Sequence, residues 1–357
     1  MAEERDDYES TLSGASTTVA AFDGHGGNSL VGRLQGLLHG TPSIVPLFVV
    51  IVAVIVFGLL LGERFFSAST LTLILQQVQI VGVLAAAQTL IILTAGIDLS
   101  VGAIAVFCSV IMGQFTFRYG LPAPVAIVCG MAIGTGIGAI SGWLVSRVKL
   151  PPFIVTLGMW QIVLAANYLY SRNETIRSQA IRDEAPMLGL MGARFEVGGA
   201  VFTLGVITMI VLFIVLAYAL RSTAWGRHVY AVGDDPEAAQ LAGVNVKGTL
   251  MSVYMLTGFI CAIAGWVMIG RFGSVSPSAS TGVLGNIQSI TAVVIGGISL
   301  FGGRGSIAGA FFGALIVGVF ELGLRMSGAD AQWTYLLIGL LIIGAVTVDQ
   351  WIRKVTS

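Results

Sequence analysis

Residues 70 to 117 form one apolar stretch whose only charged residue is Asp98. It is too long for one membrane crossing, which takes roughly 20 residues. In lipid a backbone must satisfy its own hydrogen bonds, so such a stretch has to be helical. The segment Thr94-Ala-Gly-Ile-Asp-Leu-Ser100 divides it into two helices. Further apolar runs lie at 44–62, 123–145, 153–170, 201–220, 249–270, 287–300, 307–324 and 333–348, giving about ten spans. The predicted fold is therefore an all-α polytopic membrane protein of about ten transmembrane helices. Broken or short helices are expected near 94–102 and 296–305. Charged residues make up 10% of the chain, against about 25% in soluble domains. The 47 glycines suit helices whose backbones approach closely.

The polar segments set the organisation. Residues 1–40 hold Glu3, Glu4, Asp6, Asp7 and Glu9 and are Gly/Ser-rich, so an acidic, disordered cytoplasmic tail is expected there. An acidic start also differs from the basic one of a secretory signal. Residues 41–357 form the transmembrane domain, with a loop at 172–200 that mixes both charges and a polar loop at 221–248. With ten spans, Lys149, Lys247 and Lys354 fall on the same side as both termini, which predicts that side to be cytoplasmic. The 221–248 loop is then cytoplasmic and the 172–200 loop periplasmic. The formal net charge is zero, so no basic field favours nucleic acid.

Polar residues inside apolar runs each need an account. Asp98 and Ser100 sit at the first break. They either cap the following helix or line a pore. Glu321 and Arg325 are four residues apart on one helix. They either pair within it or face a central cavity. Gln76, Gln77, Gln79, Gln88, Gln161 and Asn167 are amides within spans. They either join helices or line a polar path, with Gln77 and Gln88 about three turns apart. Such a path of amides, hydroxyls and aromatic rings suits an uncharged, hydroxyl-rich solute. Cys108, Cys129 and Cys261 lie in apolar runs without metal spacing, and no metal or other cofactor is expected.

Phosphate-binding loops need a Gly-x-x-x-x-Gly-Lys-Ser/Thr pattern, which the sequence does not contain. No span carries the Asp/Glu/His relay of a proton pump. Energy is therefore expected from another chain. In Asp234-Asp-Pro-Glu-Ala-Ala-Gln-Leu-Ala-Gly243, Asp234 or Asp235 suits an N-cap and Pro236 the first helical turn. Glu237 suits the positive helix end and Gly243 the stop. The expected product is a short surface helix, either an ordinary loop helix or a docking helix. In the second case Ala238, Ala239 and Ala242 would fit a partner's groove. Gly96-Ile-Asp-Leu-Ser-Val-Gly102 and Gly297-Ile-Ser-Leu-Phe-Gly-Gly303 are also similar, as in transporters built from repeats.

Three segments carry a resemblance. Leu93-Thr-Ala-Gly-Ile-Asp-Leu-Ser-Val-Gly102, Tyr230-Ala-Val-Gly-Asp-Asp-Pro-Glu-Ala-Ala-Gln-Leu-Ala-Gly-Val244 and Val293-Val-Ile-Gly-Gly-Ile-Ser-Leu-Phe-Gly-Gly-Arg-Gly305 resemble permeases of the ribose/xylose/arabinose class of bacterial ABC sugar importers. The Asp234-Asp235 pair is similar to fructose-type members. The resemblance implies an inner-membrane permease that is not itself an enzyme. It also implies a second permease copy, cytoplasmic ATP-binding subunits that hydrolyse ATP, and a periplasmic sugar-binding protein. Transport would be by alternating access. Asp234, Asp235, Pro236, Glu237, Ala238, Ala239, Leu241 and Gly243 would form the coupling helix. Nucleoside and branched-chain amino acid permeases share the architecture. A stand-alone secondary transporter is the alternative from another class.

Overall fold

The computed structural model describes residues 43–356, so the tail expected at 1–40 lies outside the described residues. In chain order the helices are α1 (Ile44–Leu61), α2 (Ala68–Leu93), α3 (Val101–Phe117), α4 (Ala123–Ser146), α5 (Pro152–Ser171), α6 (Ser178–Glu184), α7 (Leu204–Ser222), α8 (Ala224–Asp234), α9 (Pro236–Leu241), α10 (Val246–Phe272), α11 (Ala279–Ile295), α12 (Ile307–Met326) and α13 (Ala331–Thr356). Seven are long and apolar enough to cross a membrane, and α3, α11 and part of α13 are shorter apolar helices. The protein is an all-α polytopic membrane protein. Its strands, β1 (Arg194–Val197) and β2 (Ala200–Thr203), form a small antiparallel hairpin.

Two predicted spans move. The apolar run at 201–220 begins as β2, and its helix starts at Leu204 after Thr203, whose hydroxyl accepts from Val206 N. The span expected at 287–300 is α11, capped by Ser278 and ending at Ile295. Its first turns contain Ser280, Thr281 and Asn286, which lower the hydropathy. The apolar residues 296–300 lie in the break after it.

Helices α2, α10 and α12 form the inner layer together with α3, which is buried from Val101 to Gln114 except at Phe107. The apolar windows of α2, α10 and α12 are 61%, 67% and 61% buried, against 22–33% for α1, α4, α5 and α7. The outer helices leave large side chains such as Leu59, Ile162, Leu169 and Ile214 exposed, as lipid contact requires. The most extensive packing joins α4 to α10. Gly130, Gly134, Gly138 and Gly142 recur every fourth residue; the last three face α10, while Gly130 meets Met112 of α3. A Cβ on Gly138 would lie 2.2 Å from the Tyr254 carbonyl oxygen, and one on Gly258 2.1 Å from that of Gly134. Only glycine permits that approach, which replaces side-chain packing by direct backbone contact.

Candidate functional site

Both helix breaks meet the 223–245 loop on one face of the bundle. α2 ends with Ala95 at φ 59° and Gly96 N donating to Ile91 O. α11 ends alike, with Gly297 at φ 77° and Ile298 N donating to Val293 O. Both are Schellman-type stops. Asp98 then accepts from Ser100 N (2.7 Å), and Ser299 Oγ from Phe301 N (3.4 Å). The two similar segments thus share local structure as well as sequence.

The breaks also touch. Gly303 N donates to Leu93 O at 3.0 Å. Between them sits the end of α8, where a Cβ on Gly233 would fall 1.8 Å from Leu93 O and 2.7 Å from Gly303 N. Tyr230 donates from its hydroxyl to Gly305 O at 3.0 Å. α8 follows a Thr223 cap and is pinned by Trp225 Nε1 donating to Ser252 Oγ at 2.8 Å.

α9 follows at once. Asp235, rather than Asp234, is its cap and accepts from Glu237 N (2.9 Å) and Ala238 N (3.0 Å). Pro236 is the first helical residue, and Gly243 lies beyond the end at φ 86°. Pro236, Glu237, Ala238, Gln240, Leu241 and Ala242 are exposed. Ala239 departs from the expected docking surface: it is 5% exposed and packs into its own chain. A single turn and a half must turn one side inward, and Ala239 is that side. Leu241 is 90% exposed, an apolar side chain in the open on a polar loop.

The residues expected along a polar path separate into two places and a remainder. Gln88 and Asp98 are fully enclosed at the first break. With its amide oriented to satisfy both groups, Gln88 donates to Asp98 O (3.1 Å) and accepts from Asp98 N (3.2 Å). Ser100 is buried and donates its hydroxyl to Asp98 Oδ1 at 2.6 Å. Thr156 Oγ1 donates to Ile97 O (3.0 Å), and Asn286 binds Leu99 O and Gly102 N. These groups clamp the break. Asn167 is buried and donates to Pro277 O at 3.2 Å, while Gln161 faces outward from α5.

Gln77 belongs to a second cluster. Glu321 Oε2 accepts from Gln77 Nε2 (2.9 Å) and Gln288 Nε2 (3.0 Å), and Oε1 from Arg325 (2.9 Å). One carboxylate thus ties α2, α11 and α12 together. A cavity of about 410 Å³ opens beside it, lined by Gln288, Glu321, Arg325, Thr334, Tyr335 and apolar neighbours. A second, of about 260 Å³, shares Leu284 and Gln288 and reaches Gln76, Gln77 and Arg271. The Arg325 side chain is 67% exposed and that of Glu321 15%, so the pair alone contributes under about 1 kcal/mol. Arg325→Gln is expected to be mild. Glu321→Ala, which removes the shared acceptor of two amides, is expected to cost about 1–3 kcal/mol. Thermal unfolding of the detergent-solubilised protein checks this, and equal losses would count against the amide contacts.

Residues 70–346 match the family described as the permease component of the branched-chain amino acid transport system. The fructose import permease protein FrcC of Rhizobium meliloti is 64% identical over 351 residues, covering 98% of this chain and 97% of that protein. The ribose import permease protein RbsC of Escherichia coli K12 is 33% identical, covering 81% of this chain and 88% of that one. The xylose transport system permease protein XylH of the same strain is 31% identical, covering 90% and 95%.

The chain belongs to this permease family.

Several residues in this permease escaped sequence reasoning. Gln288 and Asn286 lay at the edge of a span placed too late, and so were not weighed as intramembrane amides. Arg271 ends α10 and donates to Gln76 O at 3.2 Å. Tyr335 and Thr334 begin α13. An aromatic residue there has the ordinary profile of a membrane-interface anchor, and nothing in its spacing links it to Glu321.

Proposed function

We propose that this chain is the permease subunit of an ATP-driven importer that moves a monosaccharide, fructose or a close relative, across the bacterial inner membrane. The observation that carries this is the 64% identity to a fructose import permease over nearly the whole of both chains. In this reading both termini, the 1–40 tail and the 221–248 loop are cytoplasmic, and the 172–200 loop is periplasmic. Two copies of the permease, embedded in membrane lipid, enclose the pathway. Separate cytoplasmic subunits hydrolyse ATP, and a periplasmic binding protein delivers the sugar.

α9 is the coupling helix, through the face that carries Glu237, Ala238 and Leu241. Its capped geometry supports this role, because a docking helix must hold its shape without its partner. Gly233 links it to both breaks, so a push on α9 is carried to the ends of α2 and α11. The bundle then alternates between openings to the two sides.

The family's description favours a second substrate class, branched-chain amino acids. Labelled uptake in a strain lacking the gene separates the two. Loss of fructose uptake, restored by the gene, with leucine and valine uptake intact, is the expected result. Loss of leucine uptake alone, or no change in any monosaccharide among fructose, ribose, xylose, arabinose and galactose, would overturn the proposal.

A further inference from the structure

We propose that Glu321, Gln288 and Tyr335, with Gln77 holding the Glu321 carboxylate, form a binding site for the hydroxyl groups of the sugar during its passage. This rests on the reading of the chain as a sugar permease and locates where in the chain the sugar is handled.

Gln77 and Gln288 each lie nine residues into their helices from the end opposite the α8–α9 loop, or about 14 Å. Glu321 lies five residues from the matching end of α12, or about 7 Å. The cluster is therefore within the bundle rather than at its rim. A carboxylate that opens onto a cavity at such depth is costly if acyl chains fill the space. The cavity is thus suited to water or a polar solute. At about 410 Å³ it falls in the range of small-molecule sites.

The donors and acceptors match a neutral polyol. Glu321 and Arg325 cancel in charge, and among the described residues they are the only charged ones lining the larger cavity. Glu321 Oε2 already accepts two amide hydrogens, whereas Oε1 accepts one and has a second lone-pair site. A sugar hydroxyl can donate to that site and accept from an amide. Tyr335, 62% exposed in the cavity wall, offers a ring face to the C–H side of the sugar and a hydroxyl at its edge.

The test uses the complete importer in membrane vesicles, with binding protein and ATP in excess. Maximal uptake of fructose and of each monodeoxyfructose is measured for wild type, Gln288→Ala, Tyr335→Ala and Tyr335→Phe, normalised to permease in the membrane. Each alanine variant is expected to lose about five-fold or more on fructose, the scale of one net hydrogen bond. At one hydroxyl position the loss from the variant and the loss from the deoxy sugar should fail to multiply, since both remove the same contact. A structural role lowers all sugars by the same factor. Losses that multiply at every position for both Gln288→Ala and Tyr335→Ala would overturn the site while sugar transport stands. Wild-type vesicles that import no monosaccharide would overturn the sugar reading and the site with it. Tyr335→Phe keeps the ring, so it separates stacking from hydrogen bonding if Tyr335→Ala folds poorly.

Discussion

Gly233→Ala, the smallest substitution the position allows, is expected to lower the folded-to-unfolded ratio of the permease at least ten-fold and to reduce folded yield and uptake with it. The added carbon would sit 1.8 Å from Leu93 O and 2.7 Å from Gly303 N. Those two atoms are hydrogen-bonded to each other at 3.0 Å. Neither is the tip of a flexible side chain, so relief requires moving the end of α2, the 296–306 segment or α8 as backbone. Overpacking of this kind costs about 1–3 kcal/mol, and parting a buried hydrogen bond adds about 1–3 kcal/mol. Together they exceed the 1.4 kcal/mol that corresponds to ten-fold in an equilibrium. Gly136→Ala is the control, because nothing lies within 4 Å of a Cβ there and α4 gains a better helix former. Size-exclusion profiles of tagged protein and labelled-sugar uptake provide the two readouts. A Gly233→Ala protein with wild-type profile and wild-type uptake would show that the three segments do not need this contact.

Leu241→Arg is expected to leave insertion and folding at wild-type level while association with the ATP-hydrolysing subunit falls ten-fold or more. Leu241 is 90% exposed, so its replacement disturbs nothing inside the chain, and surface changes stay within about 0.5 kcal/mol. Fully burying a leucine side chain is worth about 1.5–3 kcal/mol, which is more than about ten-fold in affinity. Ala239→Arg is the wrong probe for docking. That residue is 5% exposed, and an arginine there would break α9 itself. Co-purification of the ATPase subunit and ATP-dependent uptake distinguish the cases. If Leu241→Arg retains both, α9 is not the docking element, and the exposed Phe301 in the 296–306 segment becomes the next surface to examine.

Features set by local chemistry were legible in the sequence. Asp235-Pro236 announces the start of α9 because cap and first turn are adjacent residues. The break at 94–100 shows because Gly96 and Asp98 interrupt an apolar run. What escaped depends on distance along the chain or on a face too short to define. Glu321 meets Gln77 from 244 positions away and Gln288 from 33. No spacing rule relates such residues. The i,i+4 spacing displayed only Arg325, the most solvated of the three partners. The inward side of α9, Ala239, was not legible because the helix has six residues, fewer than two turns, over which no periodic face can be read.

The glycine stripe between α4 and α10 bears on how such a bundle moves. Where two backbones touch without intervening side chains, no rotamer can change to absorb a displacement. Sliding one helix by a single residue would drive the Cα atoms of one into the carbonyls of the other. α4 and α10 must therefore travel as one body, a spine running through the thickness of the bundle. By the same rule α11 and α12 are joined, since a Cβ on Gly313 would lie 1.8 Å from Ala292 O and one on Gly309 2.1 Å from Gly296 O. Any rearrangement of the bundle then has to run between helices joined through side chains, and not across these backbone contacts.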